Sequence, residues 1–153
     1  MNRIRSVTID LDGTLLDTVP DLAAAANAML RELGRPEYPM ATIAAFIGRG
    51  IPKLVARCLP DLDGAAIDEA QVAFRRHYAI ENGRRSQLFP GVLEGLQAYR
   101  DAGLPLAVIT NKATAFTEPL LVATNLGIWF NFAVSGDSLP HKKPHHAQLL
   151  HAC

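Results

Sequence analysis

The chain has 153 residues, of which 49% are hydrophobic and 20% are charged. This length and composition fit one globular domain, or one core with a small insert, and exclude collagen-like and low-complexity classes. The 15 Lys and Arg residues balance 15 Asp and Glu residues, so the formal net charge is zero. A neutral chain has no overall field that would draw it to nucleic acid or to an anionic membrane, and we expect neither as a partner.

The cysteines and the N-terminal segment indicate a cytoplasmic protein. Cys58 and Cys153 form no CxxC pair, which predicts neither a disulfide framework nor a zinc site and favours a reducing compartment. The apolar run near the N-terminus is interrupted by Asp10 and Asp12, so it fits neither a signal peptide nor a membrane span.

The first predicted element is a strand over residues 4–11, because this segment is rich in β-branched residues and stops at Asp12-Gly13. A long helical stretch follows. The spacing of Ala and Leu, with Gly34 as a C-terminal stop, indicates a helix over residues 17–33. Three further helices are predicted over residues 42–47, 53–59 and 65–80.

Strands and helices alternate after residue 85. The apolar segment 105–110 predicts a buried parallel strand, and residues 132–135 are a third strand candidate. Helices are predicted around these strands, over residues 92–102, 114–126 and 144–152. This alternation predicts an α/β fold with a Rossmann-like parallel sheet. We therefore assign residues 1–16 and 86–153 to the core and the all-helical residues 17–85 to an inserted module.

An eight-residue segment at the end of the first strand, Asp-Leu-Asp-Gly-Thr-Leu-Leu-Asp, carries the strongest chemical signal. Asp10 and Asp12 start on one side of the strand's carboxyl end, where α/β sheets bind ligands. Two such carboxylates repel each other unless a cation or a shared proton compensates their charge. A divalent cation with oxygen ligands, Mg²⁺ first, is the simplest compensation. In the alternative interpretation, Asp12-Gly13 forms an ordinary turn and Asp17 caps a helix.

This segment resembles the first motif of the haloacid dehalogenase superfamily of aspartate-nucleophile phosphatases. Two later segments are similar to the second and third motifs: Thr110-Asn111-Lys112 after a strand, and Lys143-Pro144 before a helix. The helical insert is similar to the α-helical cap of one subfamily. Within the superfamily, the order of these segments is most similar to that of bacterial phosphoglycolate phosphatases.

The resemblance implies a role for each matching residue. Asp10 would be the nucleophile that forms an aspartyl-phosphate, and Asp12 would be the general acid and base. Mg²⁺ would bind an Asp10 carboxylate oxygen and the Asp12 backbone carbonyl. Thr110 and Asn111 would bind the phosphate, and Lys143 would pair with both the nucleophile and the phosphoryl group.

The implied function is a Mg²⁺-dependent phosphatase that hydrolyses a small phosphate monoester, with 2-phosphoglycolate as the favoured substrate. Dehalogenases of the superfamily lack an acid two residues after the nucleophile, so Asp12 favours phosphate transfer. Two alternatives stay open. In the first, the phosphatase acts on another metabolite, such as pyrophosphate, a sugar phosphate or a nucleotide. In the second, the chain is a truncated, inactive phosphate-binding fragment.

Two further segments have competing interpretations. Gly48-Arg49-Gly50 is either a turn between helices or the cap loop that sorts substrates, with Arg49 binding a carboxylate. Four histidines near the C-terminus suggest a metal tract, but a solvated loop and helix start is favoured. These histidines are His141, His145, His146 and His151.

The fourth motif of the superfamily, an acidic Gly-Asp segment, is not found after Lys143. Gly136-Asp137 precedes the lysine and is therefore not assigned to it. Because later strands of the family sheet flank the first strand, we expect that strand to be an unpaired edge through which the chain self-associates. On the same ground, we expect the isolated 153-residue chain to bind Mg²⁺ weakly and to have little activity.

Overall fold

The computed structural model describes residues 4–153, which divide into two compact units. One unit contains the chain up to Asp17 together with Gln87–Cys153, and the other contains Thr18–Ser86. In chain order the elements are β1 (Val7–Ile9), β2 (Leu16–Asp17), α1 (Val19–Glu32), α2 (Met40–Ala44), α3 (Ile51–Cys58), α4 (Gly64–Glu81), β3 (Gln87–Leu88), α5 (Val92–Asp101), β4 (Leu106–Ile109), α6 (Thr114–Ala123), a 3₁₀ turn (Gly127–Trp129), β5 (Phe132–Val134) and α7 (Ala147–Ala152). Among the described helices, none is both long and apolar enough to cross a bilayer.

A parallel sheet with the strand order β1-β4-β5 forms the centre of the first unit. The middle strand, β4, has the sequence Leu-Ala-Val-Ile and is buried at all four positions, as expected for a strand covered on both faces. Several buried leucines from loops, helices and β2 belong to the same core cluster as β4. They include Leu11, Leu16, Leu96, Leu120 and Leu126. The predicted α/β class with a parallel sheet is therefore confirmed.

The first strand is shorter than the sequence suggests. It pairs with β4 from Val7 to Ile9, and the chain then turns, because Leu15 and Leu16 both donate their N–H to the carbonyl of Leu11. Ile4 has no sheet partner and is 69% exposed. Among the described strands, β1 lies at one edge of the sheet, and self-association through it stays a prediction.

Asp17 lies in a strand and does not cap a helix, which corrects the capping part of the alternative interpretation; the turn at Gly13 is present. It belongs to β2, which pairs antiparallel with β3 through Leu16–Leu88 and Asp17–Gln87. Thr18 is the residue that precedes α1. Two-residue strands leave no periodic pattern in the sequence, so this pair was not predicted.

Two helices of the first unit are shorter than predicted. Helix α6 ends at Ala123, because Asn125 adopts a left-handed conformation with φ of 54° and Leu126 donates to the Leu121 carbonyl. Helix α7 begins at Ala147, three residues after the predicted start at residue 144, because the preceding residues form a turn in which His145 N–H donates to the Lys142 carbonyl.

The second unit consists of α1 to α4. Helix α1 presents a run of small buried residues, including Ala23, Ala25 and Ala26, and packs against α4, which buries Phe74 and Tyr78. Small side chains on one helix let the aromatic rings of the other approach closely.

A buried carboxylate, Asp21, joins the start and the end of the second unit. It is fully buried in the first turn of α1. Its oxygens accept hydrogen bonds from the backbone N–H groups of Gly83 (2.9 Å), Arg85 (2.7 Å) and Ser86 (3.1 Å). The Ser86 hydroxyl donates a fourth, at 2.5 Å. These four hydrogen bonds hold the segment that follows α4 against the start of α1.

We predict that Asp21→Ala lowers the free energy of unfolding by about 3 kcal/mol, because three backbone donors lose a charged acceptor inside the protein. Urea denaturation measures the change. Asp68→Ala is the matched control, since Asp68 is exposed on α4 and accepts only a 3.4 Å bond from Gln71. Equal effects of the two substitutions would contradict the assigned role of Asp21.

Candidate active site

The carboxyl ends of the three parallel strands bring the predicted site residues to one edge of the sheet. Asp10 follows β1, Thr110 follows β4 and Ser135 follows β5. Their strands are direct neighbours, so residues distant in sequence become adjacent at this edge. Lys143 is added by the loop between β5 and α7.

Asp10 and Lys143 form an ion pair in the first unit. Lys143 Nζ lies 2.8 Å from Asp10 Oδ1, and it also donates to the Ile109 carbonyl at 2.8 Å. Asp10 Oδ1 accepts a further hydrogen bond from Leu11 N–H at 2.8 Å. Among the described residues no donor contacts Oδ2, and the Asp10 side chain is 43% exposed. One oxygen is therefore held in place while the other is available to a ligand.

Asp12 faces a second lysine, to which the sequence analysis gave no role. Lys112 Nζ lies 3.1 Å from Asp12 Oδ1, and its side chain is only 4% exposed. Asp12 Oδ1 is buried and, within residues 4–153, receives no well-aligned hydrogen bond. The ammonium therefore compensates the carboxylate by charge rather than by a directed bond. Asp10 and Asp12 are thus each paired with a different lysine, which removes much of the repulsion between the two carboxylates.

Thr110 and Asn111 both support the loop after β4. Thr110 is buried, and its Oγ1 accepts from Lys112 N–H at 3.1 Å, which leaves the hydroxyl hydrogen to donate elsewhere. Asn111 Nδ2 donates to the Lys143 carbonyl at 3.1 Å, while its buried Oδ1 has no hydrogen-bond partner in the part of the chain that the structure describes. In this structure the Asn111 amide holds the lysine loop, and contact of either residue with phosphate stays a prediction.

Gly136 is a further site residue that sequence reasoning missed. Its N–H donates to the Lys112 carbonyl at 2.7 Å, and a Cβ at this position would lie 2.2 Å from the Asn111 carbonyl oxygen. Only glycine permits this close approach of two backbones. The next residue, Asp137, accepts from the N–H and hydroxyl of Thr114 at the start of α6, at 2.8 and 2.6 Å.

Arg49 is exposed in the loop between α2 and α3 of the second unit. Its neighbours Gly48 and Gly50 have φ values of 112° and 83°, which glycine adopts readily. The start of the loop is held by Arg57, whose Nη1 donates to the carbonyls of Ala45 (3.3 Å) and Phe46 (3.2 Å). The loop therefore has a defined backbone conformation, with the Arg49 side chain available to solvent.

Three of the four C-terminal histidines, His141, His145 and His146, form a stack of exposed rings. The ring centroids of His141 and His145 lie 4.5 Å apart, and those of His145 and His146 lie 4.3 Å apart. Desolvation, followed by the charges of His146 and His141, lowers the pKa of His145. Among the described residues no set of three or more His, Cys, Asp or Glu side chains could hold a metal ion.

A Mg²⁺ ion fits the oxygen donors at the sheet edge. Mg²⁺ binds proteins through one or two carboxylates and completes its shell with water and substrate phosphate, so it does not need a cluster of three acidic side chains. The second oxygen of Asp10, which no described donor contacts, and the backbone carbonyl of Asp12 are donors of this kind. The expected ligands are therefore chemically suitable for Mg²⁺.

Comparison with known proteins identifies the family. Residues 7–153 match the haloacid dehalogenase-like hydrolase family. The chain belongs to this family. A phosphoglycolate phosphatase from Nitrosospira multiformis is 54% identical over 98% of this chain and 68% of its own length. One from Thiobacillus denitrificans is 48% identical with the same coverage. The predicted superfamily and the hydrolase class are thus confirmed.

Solved structures agree with this assignment of the fold. The crystal structure of a predicted phosphoglycolate phosphatase from Haemophilus somnus superposes with a TM-score of 0.93 at 31% identity. The alignment covers 100% of this chain and 72% of that chain. The haloacid dehalogenase-like chain described here therefore spans about two thirds to three quarters of the length of these relatives.

We predict that Gly136→Ala destabilises the protein by about 1–3 kcal/mol, because the new methyl group forces the backbones of residues 111 and 136 apart. Gly95→Ala is the matched control. Gly95 lies within α5, and no atom would lie within 4 Å of its Cβ, so alanine there stabilises the helix slightly. Thermal denaturation of both variants measures the difference. Equal Tm values would show that residue 136 tolerates a side chain.

Proposed function

We propose that this hydrolase is a phosphatase of small phosphate monoesters, that its nucleophile is Asp10, and that 2-phosphoglycolate is its substrate. The Asp10–Lys143 ion pair at the carboxyl edge of the sheet is the observation that carries this proposal. The names of the relatives from Nitrosospira multiformis and Thiobacillus denitrificans support the substrate.

The reaction begins when a carboxylate oxygen of Asp10 attacks phosphorus. The new bond joins that oxygen to phosphorus, and the bond between phosphorus and the ester oxygen breaks, which yields an aspartyl-phosphate. A carboxylate and a phosphate dianion repel each other, so the reaction needs nearby positive charge. The Lys143 ammonium, 2.8 Å from Asp10 Oδ1, supplies it in a fixed position.

Asp12 moves the protons of both steps. Asp12 enters the first step protonated and gives this proton to the departing alkoxide. In the second step the resulting carboxylate takes a proton from the water that attacks the aspartyl-phosphate, which returns Asp12 to its starting state. Hydrolysis restores Asp10 and releases inorganic phosphate. Lys112, whose Nζ lies 3.1 Å from Asp12 Oδ1, holds this carboxyl group in place.

A bound Mg²⁺ would supply further positive charge to offset the repulsion between Asp10 and the phosphate. Its protein donors would be an Asp10 carboxylate oxygen and the Asp12 carbonyl oxygen. Thr110, whose hydroxyl hydrogen is free to donate, would hydrogen-bond a phosphate oxygen. Asn111 would bind phosphate through the second N–H of Nδ2, while the first stays on the Lys143 carbonyl.

Arg49 would recognise the carboxylate that distinguishes phosphoglycolate from uncharged phosphate esters. A guanidinium group binds a carboxylate through two parallel hydrogen bonds, a geometry that a lysine cannot provide. The exposed position of Arg49 in a loop fixed by Arg57 leaves its guanidinium available for such a contact.

We predict that Asp10→Asn in the full-length protein abolishes turnover of phosphoglycolate, because an amide is a poor nucleophile. Asp12→Asn slows turnover roughly 10²–10⁴-fold, the usual cost of a lost general acid and base. Steady-state release of inorganic phosphate measures both. Asp68→Asn, an exposed acid on α4, is the control and keeps wild-type turnover. Wild-type turnover by the Asp10→Asn protein would rule out the proposed nucleophile.

For Arg49→Ala we expect a KM for phosphoglycolate raised on the order of 10-fold or more, since a charged hydrogen-bonded contact is lost. The KM for p-nitrophenyl phosphate, which has no carboxylate, changes little. Lys53→Ala removes an exposed cation from the same unit and controls for a general charge effect. If Arg49→Ala raises both KM values equally, the loop is an ordinary turn between helices and does not select the substrate.

A further inference from the structure

Gln148 is a fully buried polar residue that the catalytic scheme does not use. It lies in α7, and its relative exposure is 0%. Its Oε1 accepts a hydrogen bond from Lys143 N–H at 3.1 Å. Its Nε2 donates to the Ser135 carbonyl at 2.8 Å and, more weakly, to the Thr110 carbonyl at 3.4 Å. One side chain thus joins the ends of two sheet strands to the lysine loop.

The peptide groups of Lys143 are held on both sides. Gln148 accepts from its N–H, and Asn111 Nδ2 donates to its carbonyl oxygen at 3.1 Å. A buried amide that loses a partner is costly, so these bonds favour one backbone position strongly. The lysine side chain then extends from a fixed backbone position toward Asp10. If the loop were flexible, the ammonium group would occupy several positions.

We propose that Gln148 is a positioning residue for Lys143: it anchors the lysine backbone to the ends of β4 and β5, so that the ammonium group stays on Asp10. This inference rests on the proposed function, in which Lys143 stabilises the reacting phosphoryl group. Among the described residues Gln148 makes no hydrogen bond to Asp10, and its effect on the ammonium group is exerted through the Lys143 backbone N–H, which it binds at 3.1 Å.

The kinetic test is a double-mutant cycle. Gln148→Met keeps a similar length and removes all three hydrogen bonds, and we expect kcat for phosphoglycolate to fall about 10- to 100-fold, the usual scale for a displaced catalytic group. In the Lys143→Ala background the same substitution has no further effect, because the group that it positions is gone. Equal losses in both backgrounds would show that Gln148 serves general packing and would overturn the proposal.

A second measurement does not depend on catalysis. Trace acetylation of the folded protein, followed by peptide mass spectrometry, compares the reactivity of Lys143 with that of its exposed neighbour Lys142. In the wild-type protein Lys143 is protected by its ion pair with Asp10. Gln148→Met raises the ratio of Lys143 to Lys142 labelling several-fold. An unchanged ratio in the folded variant would overturn the proposal, whether or not the protein proves to be a phosphatase.

Two further variants separate positioning from loss of stability. Leu126→Ala truncates a fully buried core residue that is not part of the Lys143 network, and it should leave the labelling ratio unchanged while lowering Tm. If circular dichroism shows that Gln148→Met does not fold, Gln148→Asn takes its place, because it keeps the amide but shortens its reach by one methylene. An increased ratio for Leu126→Ala, equal to that of the Gln148 variant, would contradict a specific role for Gln148.

Discussion

The ion pair between Asp10 and Lys143 is the contact on which the candidate site depends. The two residues are far apart in sequence. They meet because Lys143, in the loop after β5, reaches the end of β4, and β4 is the parallel neighbour of the strand that precedes Asp10. Lys143 also binds the Ile109 carbonyl at 2.8 Å, so its ammonium is tied to the end of the central strand. If the register of β1 against β4 shifted, Asp10 would lose its cation. The geometry of the site thus depends directly on the packing of the sheet.

Neutral backbone contacts keep this charged pair in place. The loops after β4 and β5 approach so closely that residue 136 has no room for a Cβ. Thr110 accepts the N–H of Lys112, which directs the second lysine to Asp12 at 3.1 Å. Such contacts contribute little energy one by one, but together they leave few alternative positions for the lysines. The site is therefore organised before a substrate arrives, which is what stabilisation of a transition state requires.

Much of the fold was predictable from local patterns. The apolar run in β4 and the alternation of strands with helices predicted a parallel sheet. The eight-residue segment that begins at Asp10 predicted that Asp10 and Asp12 lie at the end of β1. The sequence predicted Lys143 only through the order of motifs, because two adjacent lysines in a loop are usually solvated. Lys112, Gly136 and Gln148 escaped prediction, since their roles arise where loops distant in sequence meet. The β2–β3 pair was also not predicted, because strands of two residues are too short to show an alternation of apolar and polar residues.

The central claim is that Asp10 forms a covalent bond to phosphorus. The most direct test is to quench the full-length protein with acid during turnover of phosphoglycolate and to reduce the acyl phosphate with borohydride, which converts the modified aspartate to homoserine. Peptide mass spectrometry then locates the converted residue. The account predicts homoserine at position 10 and an unmodified aspartate at position 12. Turnover with no converted residue, or conversion at another acid, would contradict it.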